Sequence, residues 1–282
     1  MYTLAYNIQT NQTLIKDRRK IVMKRKVLCL AFALLMVFSL AACGDKNKEA
    51  ADSGKSDMDR FMEMQQNMQD VKDAEFKLTT DMDVSGSDAV SLKMKGTVKE
   101  VIKSKDDIEM EFQYSMTVPN LGTDLKGTMY MKDNIVYTDL MGQKMKMDAR
   151  DEMAAAMNIN GQELLSLTED MISDLKVSKE GSDTVYTCIL DMKKAATYFD
   201  NYMSSVSNFD NSDQVSYDTM KMTVSADEKN MAKRIDVSSA ISAEAGEESA
   251  KVSYTVSIEY VSVNTGLKIK FPSFKGYQDV SV

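Results

Sequence analysis

The chain has 282 residues, with 35 basic and 43 acidic side chains, a formal net charge of −8, and neither histidine nor tryptophan. Without histidine it lacks the commonest general base, the commonest metal ligand and the Ser-His or Cys-His pair of many hydrolases. These absences, together with an acidic charge that repels nucleic acid, predict a protein that is not an enzyme, carries no cofactor or metal and binds no nucleic acid.

The first 42 residues predict a targeting segment rather than part of the fold. A basic stretch at 24–26 precedes twelve apolar residues at 27–38, which is the pattern of a secretory signal and is too short to span a bilayer comfortably. Met23 opens this stretch and would itself make a normal start. We therefore interpret residues 1–22 as an over-long gene prediction and residues 23–42 as a signal peptide.

Cys43 follows two small residues, Ala41 and Ala42, and this arrangement resembles the lipobox of bacterial lipoproteins. The resemblance implies that the Cys43 thiol takes a diacylglyceryl group and becomes the first residue of a mature protein held on the outer face of the cell membrane. Two acyl chains such as palmitate, at about 0.8 kcal/mol per buried methylene, anchor a protein stably where one would not. The alternative is an uncleaved signal anchor with an incidental cysteine.

The predicted mature chain is strongly acidic. Cleavage before Cys43 removes seven basic side chains and one acidic side chain, which leaves 28 basic and 42 acidic residues and a net charge of −14. Such a surface repels anionic headgroups, so membrane attachment depends on the lipid. Residues 43–57 are small and charged, which predicts a flexible tether, and residues 58–282 predict a single domain.

Three segments have the spacing of apolar residues that is typical of helices. The first covers residues 58–71 and is amphipathic. The second starts near Asp151, breaks at Gly161 and continues to Leu167, and the third covers residues 192–206. We expect the second and third helices to act as a lid over the sheet described next.

Almost all of the remaining sequence alternates between apolar and polar residues with a period of two. In the clearest run, 108–118, every second residue from Ile108 to Val118 is apolar. Matching such runs gives about eleven strands, and short turns such as 132–134 suit hairpins between neighbours. Strands with one polar and one apolar face are typical of antiparallel sheets wetted on one side, so the predicted fold class is mainly β (α+β).

The apolar side of such a sheet is larger than the helices can cover. Eleven strands present on the order of fifty inward side chains, at about five per strand, whereas the helices offer about fifteen apolar residues. Either two layers pack as a sandwich, or the sheet curls into an open barrel filled partly by helices and partly by a ligand. Methionine, with 21 of 24 residues after Cys43, suits a surface that adapts to variable apolar shapes, although it also fills ordinary cores.

One known group combines these features. The meander that contains residues 128–137 and 142–147, the closing segment 269–272, the lipobox and the tether together resemble uncharacterised lipoproteins of Gram-positive bacteria that look like the LolA/LolB/LppX group of lipid carriers. The resemblance implies a strongly curved antiparallel half-barrel of about eleven strands, with helices packed on its concave face. It also implies a hydrophobic cavity for acyl chains and no catalytic residues.

We therefore hypothesise a lipid-anchored surface protein that binds a lipid or lipidated molecule without catalysing a reaction. The alternative is a structural or sensory surface module with a fully packed core, which binds a protein or cell-wall partner. The oligomeric state is not predicted. The residues expected to line the cavity share the inward face of their strands, and they are Met94, Met110, Phe112, Met129, Met131, Met145, Met147, Met220 and Met222.

Two further patterns are weaker. The Met-x-Met pairs of these strands could hold Cu(I), but the same faces continue into Leu125 and Val224, which favours core packing. Residues 81–86 imitate the first half of an EF-hand loop, but Leu92 stands where a bidentate glutamate is needed. Cys188 shares a strand face with apolar residues and is predicted to be a buried, inert thiol.

Overall fold

The computed structural model describes residues 54–85, 90–104, 107–118, 123–148, 167–195, 214–245 and 248–279. Cys43, the signal segment and most of the tether lie outside these residues. The predicted second and third helices also lie outside them, apart from Leu167 and residues 192–195, and the latter are helical. Leu167 and Met192 both pack against the hydrophobic core.

Helix α1 (Asp57–Gln69) begins one residue before the predicted start. Ser56 caps it, because the Ser56 Oγ accepts a hydrogen bond from the Asp59 N–H at 3.0 Å, while the Asp59 carboxylate accepts one from the Ser56 N–H at 3.0 Å. The Ser56 hydroxyl also donates to the Asp59 carboxylate at 2.7 Å, and this hydrogen bond, followed by the one from the Ser56 N–H, lowers the pKa of Asp59. The helix buries the face that carries Phe61, Met64 and Met68.

A small polar network joins α1 to the sheet. The Phe61 ring meets the Tyr186 ring edge-on, with centroids 5.6 Å apart. Asn230 donates from Nδ2 to the Arg60 carbonyl at 2.7 Å and accepts from the Tyr186 hydroxyl at 2.8 Å. Because these partners are 44 and 170 residues apart from Asn230 in the chain, they hold α1 over one particular part of the sheet.

Thirteen strands form one sheet, two more than the predicted number. They are β1 (Asp73–Ser85), β2 (Val90–Ser104), β3 (Asp107–Val118), β4 (Thr123–Lys132), β5 (Ile135–Leu140), β6 (Gln143–Asp148), β7 (Ile172–Glu180), β8 (Asp183–Leu190), β9 (Gln214–Tyr217), β10 (Lys221–Ala226), β11 (Ala232–Ala245), β12 (Glu248–Val263) and β13 (Gln278–Asp279). A 3-10 turn, Glu169–Met171, precedes β7.

The order of the strands is β13-β6-β5-β4-β3-β2-β1-β12-β11-β10-β8-β7, with β9 paired to the far end of β11. The strands β1 to β6 form a meander that runs outward from the centre, and the chain then returns from the other edge to pair β12 with β1. The pairing of β13 with β6 is parallel, and the other pairings are antiparallel. The sheet is an open, curved half-barrel, as the sequence predicts.

Two segments depart from the pattern of their own residues. Residues 267–271 alternate like a strand but have no ladder partner in the described sheet. Conversely, β9 begins inside 207–216, a segment of mostly polar residues. In both cases the deciding factor is a tertiary partner, which a period-two pattern does not reveal.

The register places the apolar side of every long strand on one surface. Residues directly opposite each other in a ladder point to the same face of a sheet. We define the inner face by the row that crosses most of the sheet, which consists of Leu175, Cys188, Met222, Val237, Val256, Thr80, Met94, Met116 and Leu125. The alternate positions form the outer face.

The C-terminal strap, residues 264–279, crosses the outer face from β12 to β6. Its aromatic side chains pack on the outer-face residues Tyr130 and Tyr137. The Phe274 ring stacks on Tyr137 with centroids 3.6 Å apart, and Tyr277 meets Tyr137 edge-on at 5.5 Å. The strap ends as β13, which covers the exposed edge of β6.

Asp73 holds the start of this strap. Its carboxylate accepts hydrogen bonds from the backbone N–H groups of Thr265 at 2.8 Å, Gly266 at 3.1 Å and Leu267 at 3.1 Å. Burial opposes ionisation of Asp73, but the hydrogen bonds from Leu267, Thr265 and Gly266 outweigh burial and lower the pKa of this carboxyl. The charged form of Asp73 therefore stabilises the folded chain.

We expect Asp73→Ala to lower the free energy of unfolding by about 3 kcal/mol at neutral pH, because three backbone donors lose a charged acceptor. Since the pKa of Asp73 is lower in the folded chain, this stabilisation is present above about pH 4 and is lost as the pH falls through the folded value. Urea unfolding across this range measures both effects. Asp81→Ala, a partly exposed aspartate of the same strand, is the control, and an equal loss there would contradict the assignment.

Candidate ligand-binding face

The inner face of β2 to β6 carries two rows of predicted cavity residues. The first row places Met110, Met131, Val136 and Met147 opposite one another on successive strands. The second row places Phe112, Met129, Thr138 and Met145 in the same way. Six of the eight side chains are therefore unbranched thioethers or an aromatic ring on one continuous surface.

The burial of these side chains changes across the sheet. Six of the nine predicted cavity residues are buried: Met94, Met110, Phe112, Met129, Met131 and Met220. The other three, Met145, Met147 and Met222, are partly buried. In the first row, the side chains on β3 and β4 are therefore buried, whereas the side chain on β6 is partly accessible to solvent.

The remaining predicted positions lie on the other half of the sheet or at its centre. Met222 pairs with Cys188 and Val237, in the same row as Met94. Met220 precedes β10 and belongs to the same buried cluster. The register therefore brings these methionines to one face, while their role as ligand contacts stays a prediction. Cys188 is fully buried, as predicted, and this burial raises the pKa of its thiol to about 12.

Two glycines of the inner face make room for aromatic rings. A Cβ on Gly127 would lie 2.5 Å from both Cζ and the hydroxyl oxygen of Tyr114, and a Cβ on Gly96 would overlap the Gln113 carbonyl oxygen and lie 2.7 Å from Cε2 of Phe112. Each ring therefore extends sideways over a neighbouring strand, Phe112 over β2 at Gly96 and Tyr114 over β4 at Gly127. The centroids of the two rings lie 5.1 Å apart. The alternation of apolar residues did not reveal this arrangement.

Glu100 is an acidic side chain at a position of the inner face where the alternating pattern places apolar residues. It lies on the inner face between Val98 and Ile102, opposite Ala74 and Met110, and is only 5% exposed. In the described part of the structure its Oε1 has no hydrogen-bond partner. Burial raises the pKa of Glu100 to about 8, so the carboxyl is neutral at pH 7.

Two other polar groups share this surface. Thr80 lies on the inner face in the central row, is 2% exposed, and its Oγ1 has no hydrogen-bond partner among the described residues. Tyr260 pairs with Phe76, next to the row that carries Glu100. Burial, followed by the charge of Glu100, raises the pKa of Tyr260. Sequence reasoning missed Glu100 and Thr80, although both fall at inward positions of the alternating pattern.

An open depression of about 580 Å³ lies on the outer face, with Asp81, Asp83 and Asp218 among its lining residues. Its carboxylates have partners already. Asp218 accepts from the Lys251 ammonium at 2.6 Å, Asp83 accepts from the Ser91 hydroxyl at 2.5 Å, and Asp81 lies 3.5 Å from the Lys93 ammonium. The EF-hand imitation at 81–86 thus contributes two of its aspartates to an ordinary outer surface.

Among the described residues, no group of three or more His, Cys, Asp or Glu residues is arranged to hold a metal ion. Of the helices that the structure describes, none combines the length and apolarity needed to cross a bilayer.

We expect Gly127→Ala to lower the free energy of unfolding by about 1–3 kcal/mol, because the new methyl group overlaps the Tyr114 ring. In a Tyr114→Ala background the same change should cost much less, and a urea-unfolding double-mutant cycle measures the difference. Tyr114→Phe is the control, since it keeps the overlapping ring and should not relieve the clash. Equal costs in all three backgrounds would contradict the close packing.

Several solved structures are similar to this chain. One is LprF from Mycobacterium bovis, with 7% identity, a TM-score of 0.43, and coverage of 77% of this chain and 98% of that one. Another is a DUF1329 family protein from Desulfovibrio piger, with 12% identity, a TM-score of 0.28, and coverage of 74% and 92%. A LolA superfamily protein from Nitrosomonas europaea has 10% identity, a TM-score of 0.22, and coverage of 66% and 86%.

No curated protein matches the chain. Residues 58–274, which extend from the first turn of α1 into the C-terminal strap, match the model of a family of unknown function, DUF6612, and the chain belongs to that family.

Proposed function

We propose that the protein is a lipid-anchored surface protein whose inner face binds an apolar molecule, a lipid or the lipid group of another molecule, without catalysing a reaction. The observation that carries this proposal is the continuity of the inner face. All the cavity residues on paired strands lie on this face: Met222 and Met94 belong to the row that runs from β7 to β4, and the others belong to two adjacent rows that run from β2 to β6.

The chemistry of these rows supports an adaptable apolar site. Methionine side chains rotate about three bonds and have no branch at Cβ, so they accommodate acyl chains of different shape more readily than valine or isoleucine. The increase in accessibility from Met110 and Met131 to Met147 supplies a direction of access, from the β6 edge inward. In this proposal residues 58–282 form the binding domain, and residues 43–57 form the flexible tether that joins it to the lipid anchor.

A second candidate is a surface module with a packed core that binds a protein or cell-wall partner. The observation in its favour is the deep burial of Met94 at 2%, Met110 at 4% and Met131 at 5%, which an ordinary core would also produce. The neutral fluorescent probe N-phenyl-1-naphthylamine distinguishes the candidates, because it brightens on entering an apolar cavity. We expect the lipid-free mature chain, beginning at residue 44, to take up this probe, and failure to do so would favour the packed module.

We expect Met145→Asp to weaken uptake of this probe by about ten-fold while the folded domain persists, because a charge at a partly buried position of the row opposes entry of an apolar group. Fluorescence titration measures uptake, and thermal unfolding reports stability. Met141→Asp is the matched control, since Met141 is 69% exposed at the tip of the β5–β6 hairpin. Equal weakening by both variants would contradict a site on the inner face.

Anchoring is tested separately. We expect Cys43→Ala to abolish incorporation of labelled palmitate, because this thiol is the proposed attachment point. The mature, lipid-anchored form of the protein should then be absent from the membrane fraction. Cys188→Ala should leave labelling and location unchanged, since that thiol is buried and free. Palmitate labelling that survives the Cys43 change would disprove the anchor.

A further inference from the structure

The inner face contains a polar position within an otherwise apolar row. Glu100 lies on β2, where the first row begins, and the next members of that row are Met110, Met131, Val136 and Met147. The side chains that flank Glu100 in the sheet are apolar: Val98 and Ile102 on its own strand, Ala74 on β1 and Met110 on β3. A nearby titratable group is the Tyr260 phenol on β12, the strand on the far side of β1.

An unpartnered carboxyl oxygen in such surroundings requires a physical explanation. Leaving a buried acceptor unsatisfied costs free energy, so native structures keep few such atoms, and those they keep often have a function. Glu100 is more than nine-tenths buried, and its Oε1 has no partner within the described structure. A bound molecule that donates a hydrogen bond would supply the missing partner.

On the basis of the proposed function, we infer that Glu100 binds the hydroxyl group of a neutral single-chain lipid, such as a monoacylglycerol, whose acyl chain lies along Met110, Met131, Val136 and Met147. A protonated carboxyl donates through its O–H and accepts through its carbonyl oxygen, and a hydroxyl group is the complement that does both. A fatty acid would instead bring a second acidic group to the same buried position, where a further charge is strongly disfavoured.

The dimensions of the row fit such a ligand. Four strand spacings separate β2 from β6, which is about 19 Å in the plane of the sheet. That length is comparable with an extended acyl chain of a common lipid. The tail would reach Met147, which is partly buried, at the accessible edge of the face.

The experiment compares 1-monooleoylglycerol with oleic acid at pH 7. The full mature chain, lipidated at Cys43, is released from detergent micelles in a native mass spectrometer, and the fraction carrying each lipid is measured. We expect the wild-type chain to retain monooleoylglycerol about ten-fold better than oleic acid, and Glu100→Leu to lose about ten-fold in monooleoylglycerol binding. Equal retention of the two lipids, or unchanged binding by Glu100→Leu, would overturn the inference.

A second variant separates hydrogen bonding from folding. Glu100→Gln keeps a donor and an acceptor in nearly the same volume, so it should retain monooleoylglycerol within about three-fold of the wild type. If Glu100→Gln binds as poorly as Glu100→Leu while both melt like the wild type, the hydroxyl assignment is wrong. Uptake of N-phenyl-1-naphthylamine by the wild type distinguishes this failure from failure of the proposed function, since that neutral probe does not need Glu100.

Discussion

The ladder between β1 and β12 is the interaction on which the rest of the sheet depends. These two strands come from opposite ends of the domain and join the meander β2–β6 to the half that contains β7–β11. Because side chains alternate between faces along a strand, the register of this single ladder decides whether the apolar surfaces of the two halves coincide. A slip of one residue would turn Met222 and Val237 to the surface opposite Met94, and the continuous inner face would be divided.

Two acidic residues show how the faces of this sheet differ chemically. Asp73 is surrounded by backbone N–H groups of the C-terminal strap, which favour its charged form, so its negative charge contributes to stability. Glu100 is surrounded by apolar side chains, which favour its neutral form. Retaining an acid at that position reduces stability at neutral pH relative to an apolar residue of similar size. Such a cost at one position of a binding face is reasonable when a ligand supplies the missing hydrogen bond.

Much of the fold could be predicted from local pattern, but its closest contacts could not. The alternation through Phe112 correctly indicated which residues share the inner face, and Ser56 with Asp59 is a local capping pattern. The roles of Gly96 and Gly127 could not be predicted, because they depend on rings that extend from a neighbouring strand. Residues 267–271 alternate like a strand, yet they belong to a strap whose aromatic side chains pack across the outer face.

By itself, the sequence determined the mainly β class, the sidedness of each strand and the low reactivity of Cys188, because these follow from the order of apolar and polar residues along the chain. Only the tertiary structure decided which strands are neighbours, that residues 264–279 clamp the outer face through Asp73, and that Glu100 is buried without a partner. The physical reason is that the period of apolar residues indicates only the two faces of a single strand. Whether a carboxyl is neutral or charged depends instead on groups that distant parts of the chain bring to it.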